Sequence, residues 1–180
     1  MKRFILTGDR EAGKTTFCRS LYKKARTREM TVAGIITLTS RKDELRALDL
    51  FSSETRRLAE FNKSFQVMTN QGNRELSTRQ WIFDPSAITW GNSQIMKTPK
   101  CNLFILDEAG ILEFEREQGW TAGLSRIDLQ KDDCSIVVVR PELISQALER
   151  WIDSEVLMID KDRNPHHEEA LMMRILANRY

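Results

Sequence analysis

Long apolar runs are missing from this chain. After Met1-Lys2-Arg3 the apolar part is only Phe4-Ile5-Leu6, far short of a secretory h-region. Nothing approaches the roughly 20 apolar residues of a membrane span. Cysteine is scarce as well. Cys18, Cys101 and Cys134 are scattered, none lies in a C-x-x-C pair, and an odd count argues against a disulfide framework. A reducing cytoplasm is the expected compartment. An excess of either charge is also absent. The formal net charge is +2, too weak to argue for nucleic acid or a membrane surface as the main partner. The local basic run of Lys23, Lys24 and Arg26 suits the end of a predicted helix, where cations favour the macrodipole. Histidine occurs only as His166-His167. Adjacent helical positions diverge by about 100°, so these imidazoles do not converge on a metal. No repeat, low-complexity tract or linker rich in Gly, Ser or Pro divides the chain. Residues 1–180 therefore read as a single domain, long enough to bury a real core.

What is present is an alternation of short apolar runs and amphipathic stretches. Phe4 to Thr7 reads as a buried strand that stops at Gly8. Gly13 to Arg28 reads as a helix, its stripe formed by Phe17, Leu21 and Ala25 with Cys18 and Tyr22 beside them. Thr31 to Leu38 and Leu45 to Phe51 are strand-like, and the polar turn Ser40-Arg41-Lys42-Asp43 pairs them as an antiparallel hairpin. Phe65 to Met68 and Gln80 to Phe83 suggest further short strands. Asp84-Pro85 opens a helix, with Asp84 as cap. Leu103 to Leu106, Ser135 to Val139 and Glu155 to Ile159 are apolar runs ended by Asp107, Arg140 and Asp160. Glu142 to Trp151 reads as a helix, and Asn164-Pro165 starts the last one. Trp81, Trp90, Trp120 and Trp151 read as packing residues. Strand runs bounded by helices imply a mostly parallel α/β sheet covered on both faces, with the hairpin near residues 31–51 as its antiparallel departure. In such sheets ligands bind beyond the carboxyl ends of the strands. Gly8, Asp107, Arg140 and Asp160 all fall there.

Gly8-Asp9-Arg10-Glu11-Ala12-Gly13-Lys14-Thr15 matches G-x-x-x-x-G-K-[ST], between a predicted strand and a predicted helix. Main-chain N–H groups of such a loop turn inward around phosphates, and the helix N-terminus points at the same anion. Lys14 is expected to reach the β- and γ-phosphates, and the Thr15 hydroxyl to bind Mg²⁺. Thr16 could add a hydroxyl near the α-phosphate. Asp9 and Glu11 are unusual in a loop built for anions. Their side chains can face solvent while the N–H groups face in, at some cost in affinity.

The apolar Leu103-Phe104-Ile105-Leu106 carries Asp107 to the rim of the sheet. There it is expected to hold Mg²⁺, directly or through water. Glu108 follows at once and is suited to accept a hydrogen bond from the attacking water. Phosphoryl transfer needs mainly positioning and charge stabilisation, so Glu108 need not be a strong base.

With these motifs in hand, the chain resembles the nucleoside-triphosphatase family of small P-loop enzymes. The likeness spans most of the chain. It runs through the Gly8–Thr16 loop, Ala33-Gly34-Ile35-Ile36-Thr37, Arg79-Gln80-Trp81-Ile82-Phe83-Asp84 and Trp90-Gly91-Asn92. It continues in Leu106-Asp107-Glu108-Ala109-Gly110-Ile111-Leu112-Glu113, Gln118-Gly119-Trp120 and Val138-Val139-Arg140-Pro141-Glu142-Leu143. The resemblance implies a RecA-like sheet, Mg²⁺-dependent hydrolysis of ATP, GTP and other triphosphates, and the catalytic glutamate role for Glu108. The chain departs from the family where Pro and Gly are usual and Asp9, Arg10 and Glu11 stand instead. It departs again at Thr37-Leu38-Thr39-Ser40-Arg41, which is less charged than usual.

A cation near the γ-phosphate would aid hydrolysis. Arg140, at a strand end, is the first candidate for that cation, although a structural salt bridge is the favoured reading of it. Arg10, Arg41, Arg116 and Arg163 follow it. The segment Asp160-Lys161-Asp162-Arg163-Asn164 lacks the Asn-Lys-x-Asp arrangement that selects guanine. Broad nucleotide tolerance and a plain helix-start loop are both open readings. Two functions compete with hydrolysis. One is a nucleotide or small-molecule kinase, which usually carries an arginine-rich lid not evident here. The other is a nucleotide-dependent switch or partner-binding module with little turnover, motivated by the altered loop.

Overall fold

The computed structural model describes residues 2–63, 81–162 and 164–177. Within them eight strands form one sheet in the order β5-β4-β3-β2-β6-β7-β1-β8. The strands are β1 (Lys2–Thr7), β2 (Val32–Arg41), β3 (Glu44–Asp49), β4 (Thr55–Phe61), β5 (Trp81–Phe83), β6 (Leu103–Ala109), β7 (Cys134–Val139) and β8 (Glu155–Met158). The helices are α1 (Lys14–Thr27), α2 (Pro85–Lys97), α3 (Ile111–Glu115), α4 (Thr121–Asp128), α5 (Ile144–Arg150) and α6 (Pro165–Leu176).

From β2 through β6, β7 and β1 to β8 the pairing is parallel. From β2 outward through β3 and β4 to β5 it is antiparallel. The parallel strands read as unbroken apolar runs because both of their faces are buried. Along β1, Ile5 joins one core and Phe4 and Leu6 the other. Along β6, Phe104 and Leu106 face the first core, Leu103 and Ile105 the second. The first core lies under α2, α4 and α5 and includes Trp90, Trp120 and Trp151. The second lies under α1 and α6. Three of the four tryptophans are thus buried packing residues, and Trp81 packs at the margin.

The hairpin expected near residues 31–51 is β2–β3. The turn is tighter than the sequence suggested, since Arg41 pairs with Glu44 and only Lys42 and Asp43 lie between. Helix starts match their expected caps. The Asp84 carboxylate accepts from the Ser86 N–H, and the Asn164 side chain accepts from the N–H groups of His166 and His167. The stretch expected as one helix over Glu142 to Trp151 is a 3-10 turn, Pro141–Leu143, followed by α5. The expected strand at Phe65 to Met68 lies outside the described residues, as does the first residue of the stretch Gln80 to Phe83, whose remainder is β5.

Candidate active site

β1 delivers the chain to Gly8 at the rim. Gly8 is buried, and a Cβ there would meet the Ile159 carbonyl oxygen at 2.2 Å. Only glycine lets the loop leave β1 so close to the end of β8. The Ala12 N–H donates to the Asp9 carbonyl at 3.2 Å. Gly13 then takes a left-handed conformation and starts α1. Asp9, Arg10 and Glu11 are exposed, so both carboxylates of the altered loop do point outward. Ala12 is fully buried and Thr16 is exposed. Lys14 folds back over the loop, donating from Nζ to the carbonyls of Gly8 at 2.6 Å and Asp9 at 2.7 Å. Burial lowers the Lys14 pKa and outweighs the attraction of Glu108 and Asp107, whose charges reach it.

The second half of the site comes from the end of β6. β6 and β7 stay in register through Leu106–Val137, and the next pair is Ala109–Val139. Asp107 and Glu108 therefore stand opposite Val138 alone, as a β-bulge. Glu108 takes φ +69°, uncommon for a residue with a side chain. The bulge aims the two acids differently. Asp107 is 1% exposed. Its Oδ2 accepts from the Thr37 N–H at 3.3 Å, and it is hydrogen-bonded to Thr15. Burial first, and then the neighbouring Glu108, push its pKa up to about 7. Glu108 turns out toward solvent and accepts a 2.5 Å hydrogen bond from Arg140 Nη2.

Lys14, Thr15, Asp107, Glu108 and Arg140 are thus brought to one place. Arg140 forms an ion pair, and its partner is the acid expected to handle water. Arg41 instead lines a separate groove with Asp43, Glu44 and Arg57. Arg116 is exposed at the end of α3, and Arg163 is outside the described residues. Asp160, Lys161 and Asp162 are exposed just beyond β8. In the sheet, β7 separates β1 from β6. That strand comes from the chain after β6, not from the stretch between the two motifs, which builds β2 to β5.

Two further residues shape the site. Thr37, through its main-chain N–H, fixes Asp107. Glu113 is buried and ties the following loop together, accepting from the N–H of Gly110 at 2.8 Å and of Trp120 at 2.9 Å. Burial raises its pKa despite these bonds. Gly119 lies so near that a Cβ would meet Glu113 Oε1 at 2.0 Å. The only sequence signal for this role is an acid between two glycines, Gly110 and Gly119. Beside Glu108 and Arg140 opens a cavity of about 790 Å³ that reaches toward β4 and β5.

Hard oxygen donors are the chemistry a magnesium ion prefers. The Thr15 hydroxyl and the buried Asp107 carboxylate, hydrogen-bonded to each other, fit that preference. Among the described residues no group of three or more His, Cys, Asp or Glu side chains forms a metal cage. No helix among the described residues is long and apolar enough to cross a membrane.

Two solved structures share this architecture. The solution structure of a human cancer-related nucleoside triphosphatase superposes with a TM-score of 0.77 at 15% identity, covering 100% of both chains. The crystal structure of THEP1 from the hyperthermophile Aquifex aeolicus gives 0.64 at 13% identity, covering 97% of each. At such identities the likeness speaks for the fold. No curated protein matches the chain. A family model described as NTPase matches residues 3–171, nearly the whole length. The chain belongs to that NTPase family.

Proposed function

We propose that this protein hydrolyses nucleoside triphosphates, ATP and GTP among them, to the diphosphate and phosphate in a Mg²⁺-dependent reaction. The observation that carries the proposal is the meeting of Lys14 and Thr15 with Asp107 and Glu108, the acids close enough for both charges to act on Lys14.

The geometry supports a role for each of these residues. The N–H groups from Gly8 to Thr16 cradle the phosphates at the start of α1. Lys14 exchanges its two carbonyl partners for β- and γ-phosphate oxygens, a gain because charge-assisted bonds are the stronger kind. Thr15 and Asp107 would hold Mg²⁺, which when bound neutralises charge on the β- and γ-oxygens. A buried carboxylate beside a second acid, Glu108, is well suited to a divalent ion, which would offset both charges. Glu108 orients the water and accepts its proton. Arg140 holds Glu108 in the resting protein and is free to turn to the γ-phosphate once that charge arrives.

The test is Mg²⁺-dependent phosphate release across a panel of triphosphates. Glu108→Gln should keep nucleotide binding and lower turnover by about 10²–10⁴-fold, the usual span for a positioned acid–base group. Lys14→Ala should lose both. Native turnover in Glu108→Gln would remove that residue from catalysis. The pairing of Glu108 with Arg140 also favours a second reading, a nucleotide-dependent switch that is idle until a partner breaks the pair. Steady phosphate release by the pure protein counts against it.

A further inference from the structure

Hydrolysis needs space for one water, whose share of liquid volume is about 30 Å³. The cavity beside Glu108 and Arg140 is about 790 Å³, within the range of small-molecule sites. Its walls have two characters. Phe61, Trp81, Phe83 and Trp120 supply aromatic surface, and Phe61 meets Trp81 edge to face at 5.9 Å between ring centres. Arg10, Lys63 and Arg140 supply positive charge against the carboxylates of Glu108 and Glu113, with Arg140 tied to Glu108 in the resting site. Phe61 is 43% exposed and Ile111 39% exposed, so apolar surface faces the opening rather than being used up by the core. Flat apolar walls suit a planar ring, and guanidinium and ammonium groups suit a phosphate. These cations come from the phosphate loop, the end of β4 and the end of β7. A contiguous arginine-rich lid is therefore not needed to assemble them.

We infer that this cavity binds a nucleoside monophosphate as a phosphoryl acceptor, so that the site transfers the γ-phosphoryl group to a second nucleotide as well as to water. The inference rests on the triphosphate site proposed above. In the transfer an oxygen of the acceptor's phosphate bonds to the γ-phosphorus. The bond from that phosphorus to the β–γ bridging oxygen breaks, and the donor leaves as a diphosphate with the electron pair. The acceptor becomes a diphosphate. With a second phosphate pKa near 6, the acceptor is largely a dianion at neutral pH, and no base must take a proton from it. Water does require one, and Glu108 is that base. The two reactions therefore respond differently to the same substitution.

The full-length protein is incubated with Mg²⁺ and γ-labelled ATP alongside AMP, GMP, CMP or UMP, and labelled diphosphate is scored against labelled phosphate. Labelled diphosphate is expected from at least one monophosphate. Phe61→Ala and Ile111→Glu, both at half-exposed positions, should each lower the ratio of labelled diphosphate to phosphate by roughly tenfold, the loss of about 1.4 kcal/mol of acceptor binding. Glu108→Gln should raise that ratio by tenfold or more. Phosphate release without label on any of the four monophosphates overturns the inference and leaves the hydrolase reading standing. Labelled diphosphate whose ratio is unmoved in both cavity variants also overturns it. If ATP is neither bound nor turned over, the triphosphate site itself fails, and the acceptor site with it.

Discussion

Glu11 is one of the three unusual residues of the phosphate loop, and the structure gives its presence there a physical content. It adopts φ +64°, where glycine has no steric cost. Its side chain is 85% exposed, and the nearby Arg10 is 3.9 Å away and 73% exposed, a pairing worth little in solvent. Glu11→Gly should therefore raise stability by about 0.5–1 kcal/mol in urea unfolding. It should also tighten ATP binding roughly threefold in calorimetry, by removing a negative charge near the triphosphate. A variant no tighter than the native chain would mean that the carboxylate is fully screened. At this scale much of the site was legible. The glycine, lysine and threonine of the loop and the acidic pair stood in a pattern whose chemistry is fixed by residue type. Thr37 and Glu113 were not legible, because one acts through its main chain and the other through a loop closure that no spacing rule encodes. The tie between Arg140 and Glu108 could be framed only as an alternative, since a strand-end arginine is equally suited to a carboxylate and to a phosphate.

Among the elements, parallel strands and capped helices were the readable ones, because an unbroken apolar run or an Asx-Pro start has few other meanings. β4 was missed for a specific reason. Its seven residues contain Leu58 and Ala59 side by side, both buried, among exposed Arg56, Arg57 and Glu60. A bulge against β3, where Leu45 pairs with Ala59 and Arg46 with Arg57, leaves Leu58 unpaired and turns two neighbours to one core. Period-two alternation is lost at such a point, and with it the strand signal. The join between α4 and α5 carries a testable charge. Asp128 receives Arg150 Nε at 2.9 Å, Arg150 Nη2 at 2.6 Å and Trp151 Nε1 at 2.8 Å. Burial pushes its carboxyl upward, but the bonds from Arg150 and Trp151 outweigh it and hold the pKa below the ordinary value. A depressed acid stabilises the fold above its unfolded pKa, about 3.9, and loses that contribution as pH falls through the folded value. Because the side chain is 36% exposed, Asp128→Asn should cost only about 1 kcal/mol at pH 7. The difference from the native chain should shrink below about pH 4 in chemical denaturation. A difference that stays constant down to pH 2 would exclude the ionised carboxylate as its source.

For the whole molecule, the sheet divides by direction. Its parallel part holds the phosphate loop and the acidic pair, and its antiparallel part walls the adjoining cavity, with Gly34 at the junction. A Cβ on Gly34 would lie 1.8 Å from the Ile105 carbonyl oxygen, so β2 can sit this close to β6 only with glycine at that position. A triphosphate with Mg²⁺ would fasten β1, α1 and β6 together, and a ligand that binds only the folded state stabilises it by mass action. At a hundredfold excess over Kd the gain is about 2.7 kcal/mol. The midpoint of thermal unfolding should rise with MgATP, fall back when EDTA removes the ion, and stay unmoved in Lys14→Ala. A rise that persists in EDTA would show that the ion is not part of the binding.

The positions of the three thiols have a practical consequence. Cys18 lies in the first turns of α1, fully buried, within electrostatic reach of Asp107, and its thiol is pushed well above the usual value chiefly by burial. Cys101 and Cys134 precede or open β6 and β7, at the opposite rim of the sheet, and burial drives both toward about 12. An alkylating reagent can reach Cys18 only when α1 lifts, because the reactive thiolate is scarce and shielded. Its rate of capture therefore clocks the opening of the phosphate loop, with the two distant sulfurs as internal references. Bound MgATP should slow capture at Cys18 by tenfold or more, relative to Cys101 and Cys134.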